Sequence, residues 1–170
     1  MELFIYYTVR VVHVLFGVFW AGAAFLIVLF LEPSVRETGP AGGAVMGAMV
    51  RRGYSGFINV IAILSLLTGF WLLWRMSGHF TGSFMGSRSG ILISNGMLAG
   101  VLAWGAGHGI RGSVKKLTAI GARVGASGAP PTADDQAEMA RLQNKARLYS
   151  RITAVLLLIA IVTMSLGPHM

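Results

Sequence analysis

Polar and apolar positions alternate along this chain in long blocks, with four extended apolar stretches separated by polar, glycine-rich connections. A helix needs about 20 mostly apolar residues to cross a hydrocarbon core of about 30 Å. Stretches 4–31, 54–76, 91–110 and 149–166 meet that requirement. The last is apolar only from Ile152 to Leu166 and borrows a polar first turn, Tyr149 to Arg151, whose long side chains can reach the headgroups. The pattern predicts an all-α integral membrane protein, a four-helix transmembrane bundle forming a single domain over 1–170, with a cytoplasmic helical extension at 111–148. The N-terminus lacks a basic segment and its apolar run is too long for a cleaved signal, so the first stretch reads as a span.

Composition agrees with this reading. Charged residues make up 12% of the chain, half the share of a typical soluble domain, and the mean hydropathy is +0.69. The formal net charge of +8 is mostly a matter of placement. Arg36, Arg51 and Arg52 lie between the first two spans, and Arg111, Lys115, Lys116, Arg123, Arg141, Lys145, Arg147 and Arg151 between the last two. With four spans these connections share one side, and the positive-inside rule assigns it to the cytoplasm, with both termini outside. Nucleic-acid binding would need a basic groove on a soluble domain, and the pattern offers none.

Within the long connection, Gly121 to Pro131 (GARVGASGAPP) reads as a flexible break. Thr132 then has the character of an N-cap, with Asp134 and Asp135 favourably placed against the helix dipole. Met139, Leu142, Ala146 and Tyr149 recur at helical spacing, so the new helix is expected to run into the fourth span.

The absence of cysteine excludes disulfides, iron–sulfur clusters and thiol nucleophiles and leaves His, Met and oxygen as metal ligands. Ionisable groups inside a span cost about 2.5–3.5 kcal/mol at its centre and therefore mark candidate sites. The first span carries two, Arg10 and His13, three residues apart on one helical face that continues through Phe16, Gly17 and Trp20. At 1.5 Å per residue, His13 lies roughly 13 Å below the outer surface. This set matches a b-type haem site: imidazole on iron, a glycine notch beside the macrocycle, aromatic walls, and Arg10 on a propionate. The alternative is a buried histidine bonded to a neighbouring helix through Asn95 or Thr68, with Arg10 reaching to the surface.

The segment His13-Val-Leu-Phe-Gly-Val-Phe-Trp20-Ala-Gly22 resembles the first-helix signature of the CopD-like and HemJ-like group of small bacterial membrane proteins. In that group a histidine is followed seven residues later by tryptophan and then by a nearby glycine. The group includes the copper-resistance CopD domain and the haem-containing HemJ-type protoporphyrinogen oxidase. The resemblance, which covers about twenty residues, implies a haem- or copper-related role with His13 as ligand. HemJ proteins place a functional lysine in the third span, whereas Lys115 and Lys116 here lie beyond it, which argues against protoporphyrinogen oxidation itself.

His108, followed by Arg111, lies near the inner end of the third span, roughly 26 Å down. The axial offset from His13 is too large for one iron, whose two axial nitrogens stand about 4 Å apart, so His108 would serve a second haem. The stripe Gly96, Gly100, Trp104, His108 and its neighbours Ala99, Ala103 and Gly107 also have the small-residue spacing of close helix packing. Toward the outer side, Met76, His79, Met85, Met164, His169 and Met170 offer soft thioether and imidazole donors suited to copper(I). His79 or His169 could alternatively supply an outer axial ligand. No carboxylate lies within a span, since Glu32 and Glu37 flank Pro33 at its inner end; this weakens proton-coupled transport. The sequence therefore leads to three expectations. The first is a haem b protein, carrying one or two haems, that serves electron transfer or tetrapyrrole redox chemistry with a redox partner. The others are a copper-handling protein and a non-catalytic accessory subunit of a larger membrane complex, and self-association into a homo-oligomer is open in each.

Overall fold

The computed structural model describes residues 1–167. Their order is α1 (Glu2–Leu26), a π-helical turn (Ile27–Leu31), α2 (Glu32–Thr38), α3 (Pro40–Arg51), α4 (Tyr54–Met76), α5 (Gly82–Met85), α6 (Arg88–Ser127) and α7 (Ala133–Leu166). Four units are long and apolar enough to cross a membrane: Glu2–Thr38, Tyr54–Met76, Arg88–Ser127 and Ala133–Leu166. The chain is thus an all-α four-helix membrane bundle. Large apolar side chains such as Phe19, Leu67, Leu102 and Val155 are exposed along these helices, as contact with lipid requires.

α1 packs on α4, α4 on α6, and α6 along α7, with α7 returning to α1. The core lies midway, where Trp20 and Ala21 of α1 meet Ile61 and Ala62 of α4, Ala103 of α6 and Leu157 of α7. Only small residues allow this approach. A Cβ on Gly96 would stand 2.7 Å from both Met164 Cγ and Thr163 Oγ1, and one on Gly109 would stand 2.7 Å from the Tyr149 ring. The small-residue stripe of α6 therefore serves helix packing in lipid.

The first span does not end at residue 31. Pro33 lacks the N–H that an α-helix would direct at residue 29, and its ring crowds that carbonyl. The chain widens into the π-turn, where the Glu32 N–H bonds the Ile27 carbonyl, and continues to Thr38. Gly39, at φ +57°, then reverses the chain, and α3 folds back across this end of the bundle.

α6 and α7 have 40 and 34 residues, or about 60 and 50 Å, and so extend well beyond a bilayer core as an antiparallel hairpin. α6 passes through Gly121 and Gly125 and stops only at Gly128, at φ +65°, followed by Pro130 and Pro131. The expected break at 121–131 is thus confined to its last few residues. Two mid-helix glycines each cost about 1 kcal/mol relative to alanine, which packing along α7 offsets. Thr132 caps α7 as expected: its hydroxyl accepts from the Asp135 N–H at 3.2 Å, and Asp135 accepts in return from the Thr132 N–H at 3.3 Å.

Candidate functional site

Two places in the bundle combine polar chemistry with enclosure. The first is His13. α1 presents its imidazole to α4, where Nδ1 lies 2.9 Å from the Ser65 carbonyl oxygen and 3.3 Å from Thr68 Oγ1. A carbonyl can only accept, so Nδ1 carries the proton. The Thr68 hydroxyl already donates to the Leu64 and Ser65 carbonyls at 2.7 and 3.0 Å. In the neutral ring the lone pair therefore resides on Nε2, and the ring orientation is fixed by α4.

Gly69 makes the seat for this ring. A Cβ there would stand 2.7 Å from His13 Cε1, 3.2 Å from Nδ1 and 3.3 Å from Met97 Cε. The imidazole of α1 and the thioether of α6 thus converge on one bare backbone position of α4. Met97 went unnoticed in the sequence, where nothing distinguishes it from the other methionines; only the packing of three helices brings it to His13.

The other residues expected around His13 take different positions. Gly17 faces Ser65 of α4, whose Oγ would make an ordinary 3.8 Å contact with an added Cβ. Phe16 packs against the core and Trp20 belongs to it. Arg10 is exposed and joins no ion pair among the described residues. Asn95 is exposed on α6, away from the His13 hydrogen bonds.

His108 is exposed; its Nδ1 bonds the Trp104 carbonyl at 3.0 Å and its ring meets the Trp104 indole edge-on at 4.6 Å. His79 lies in the turn after α4 at φ +65°, its ring tilted by 48° against the Trp74 indole with the centroids 4.4 Å apart. Met164 points inward to Gly96. His169 and Met170 lie outside the described residues. Among the described residues no group of three or more His, Cys, Asp or Glu could hold a metal ion.

The second place is a cleft of about 180 Å³ in the half of the bundle that carries Arg111. It runs from Trp20 and Ala62 at its apolar end to Glu32 and Arg111 at its mouth, with Met46 and Val50 of α3 along one side. The π-turn and the reversal at Gly39 bring Glu32 and α3 to it. Trp104 Nε1 donates to Asn59 Oδ1 at 3.2 Å in its wall. Of the residues expected to hold a cofactor, Trp20 and Arg111 reach this cleft, whereas His13 and His108 do not; Trp104 and Gly107 of the small-residue stripe also line it. Beside the mouth, Glu32 also borders a small pocket with Arg36, Arg147 and Arg151. No protein-family model, curated protein or solved structure matches the chain.

Proposed function

We propose that the chain is a multi-pass metalloprotein of the bacterial inner membrane, serving metal handling or electron transfer, with His13 Nε2 as the metal ligand. The observation that carries this reading is the bond from His13 Nδ1 to the Ser65 carbonyl. Metal-bound histidines commonly donate their second ring nitrogen in this way, which fixes the tautomer and raises the basicity of the ligating nitrogen. The basic ends of α6 and α7 support an orientation with that end in the cytoplasm and His13 in the opposite leaflet.

Two metals suit the ligand. Copper(I) is favoured by the neighbouring Met97, because a thioether and an imidazole are soft and borderline donors and the packed seat suits a bare ion. Haem b, the first expectation from the sequence, is supported by the imidazole, while the space over Gly69 is taken by the His13 ring and Met97. When bound, either metal supplies one-electron redox chemistry; the chain's own residues hold the imidazole, with Ser65 fixing its proton and Gly69 its place.

The test is metal loading of the purified full-length protein, expressed with ample haem and copper. Copper(I) measured by competition with a chromophoric chelator should bind at one per chain, be lost in His13→Ala, and weaken about tenfold or more in Met97→Leu. A Soret band that disappears in His13→Ala would establish haem instead. A colourless protein that takes up no copper(I) overturns the proposal.

A further inference from the structure

The small pocket between the first span and α7 gathers charge of one sign. Glu32 and Arg36 of α2 reach it from one side, carried there by the π-turn, and Arg147 and Arg151, one turn apart on α7, from the other. Together they enclose a space of about 50 Å³. Three guanidiniums and one carboxylate leave this space with an excess of two positive charges.

Nothing within the chain neutralises that excess. The ion pairs among the described residues join Arg75 to Glu2, Arg123 to Asp135 and Arg141 to Glu138, so Glu32 pairs with none of the pocket's arginines. Their one side-chain hydrogen bond there, from Arg147 Nη1 to Asn144 Oδ1, is long at 3.4 Å and ends on a neutral acceptor. Like charges one turn apart on a helix repel, and a third guanidinium facing them adds to the repulsion; a bound anion relieves it. Arg36 and Arg151 are exposed and Arg147 is partly so, which leaves all three within reach of a ligand.

Size and level select the anion. One water needs about 10–15 Å³ of such space, so the pocket takes a group of roughly four heavy atoms, the scale of a phosphate. Arg151 immediately precedes the apolar run of α7, where Ile152 is 38% exposed and Val155, one turn beyond Arg151, is 56% exposed. The pocket thus stands at headgroup level with a surface for acyl chains beside it. A free phosphate makes no use of that surface. A zwitterionic head would bring a cation into a space already in positive excess, whereas a phosphodiester without an amine matches it.

We propose that Arg36, Arg147 and Arg151 hold the phosphate of an anionic phospholipid of the phosphatidylglycerol or cardiolipin class, with its acyl chains along Ile152 and Val155. Guanidiniums bind phosphate oxygens in pairs, and basic pockets between membrane helices take such heads on the cytoplasmic side. Glu32 opposes the ligand and sets how tightly it is held. The site is separate from His13 and does not depend on a metal there.

The experiment is native mass spectrometry of the full-length protein in detergent, titrated with dioleoylphosphatidylglycerol or with dioleoylphosphatidylcholine. The first phosphatidylglycerol should bind about tenfold or more tighter than the first phosphatidylcholine. Arg36→Gln, Arg147→Gln and Arg151→Gln should each weaken it about fivefold, and Arg147→Gln/Arg151→Gln should bring it to the phosphatidylcholine level. Glu32→Gln should tighten it severalfold, a gain that damage to the fold does not produce. Lys115→Gln/Lys116→Gln removes the same charge from α6 and should leave the first affinity unchanged. Equal affinity for the two lipids overturns the proposal, as do equal losses in the arginine and lysine double variants. Displacement by glycerol 3-phosphate as effective as by a second phosphatidylglycerol would make the pocket a site for soluble phosphate and also overturn it. His13→Ala should retain the lipid, so the fate of the metal proposal is read separately.

Discussion

The imidazole of His13 occupies the space that any side chain at position 69 would need: a Cβ on Gly69 would lie 2.7 Å from His13 Cε1. The helix pair α1–α4 is locked by this fit as well as by the Ser65 contact. Gly69→Ala should force the ring out of its seat and cost about 1–3 kcal/mol, as overpacking of a filled core does. Gly22→Ala on α1, where nothing lies within 4 Å, should leave stability unchanged or raise it by up to about 1 kcal/mol through helix propensity. Unfolding of the two variants in detergent, followed by circular dichroism, compares them directly. Equal melting would show that His13 is not held by Gly69. On the metal reading, Gly69→Ala also lowers copper(I) affinity, although it touches no ligand atom.

The contact between Trp104 and Asn59 bridges α6 and α4 at 3.2 Å. Interhelical hydrogen bonds in membranes contribute on average about 0.6 kcal/mol, with larger values where removal leaves a buried group unpaired. Asn59→Leu should therefore destabilise by about 1 kcal/mol, and adding Trp104→Phe should restore part of that loss, because the orphaned donor disappears. A double-mutant cycle in detergent measures the coupling; a value of zero would mean that the two side chains do not interact.

Long-range partnerships of this kind separate what the sequence reveals from what it conceals. The spans were legible because an apolar run of the right length reports on the solvent around it. The α7 cap was legible because Thr132 and Asp135 act on each other within one turn. Thr68 was anticipated as a partner of His13, but Asn95, the other choice, is exposed on α6. Which of two in-span polar residues faces a given histidine depends on helix rotation, and periodicity leaves that open when a helix is apolar all round. The π-turn has a local signal in Pro33, yet its consequence, Glu32 at the mouth of a cleft, requires α3, α6 and α7 to be in place. Met97 had no signal of its own. Gly121 and Gly125 read as a break because local propensity was weighed without the neighbouring helix.

Close packing along α6 gives a graded prediction. An added methyl at Gly96 would meet Met164 and Thr163, whereas one at Gly105 would meet nothing within 4 Å. Gly96→Ala should lower stability by about 1–3 kcal/mol, and Gly105→Ala should be neutral or stabilising by up to about 1 kcal/mol. Thermal unfolding of the two single variants reports the order. The reverse order would place a different face of α6 against α7.

The α6–α7 hairpin beyond the spans carries a pH response. The Asp135 carboxyl is held below its ordinary pKa, first by the hydrogen bond from the Thr132 side chain and further by the Thr132 backbone and by Arg123, which together outweigh the opposing effect of desolvation. A carboxyl depressed in the folded state stabilises it at pH values above its unfolded pKa, and that stabilisation fades as pH falls through the lower folded value. The N-terminal turn of α7 should therefore remain capped at neutral pH and loosen only in acid below the usual carboxylate range. The carboxyl carbon shift of Asp135, followed by NMR across that range, gives the midpoint. Thr132→Val should move this midpoint up, and Arg123→Gln should move it up by less, because the threonine contact is the larger cause. An unchanged midpoint in Thr132→Val would show that the cap does not hold the carboxylate. Since Asp135 lies on the hairpin beyond the spans, far along the chain from His13, metal binding there should be unaffected by either substitution.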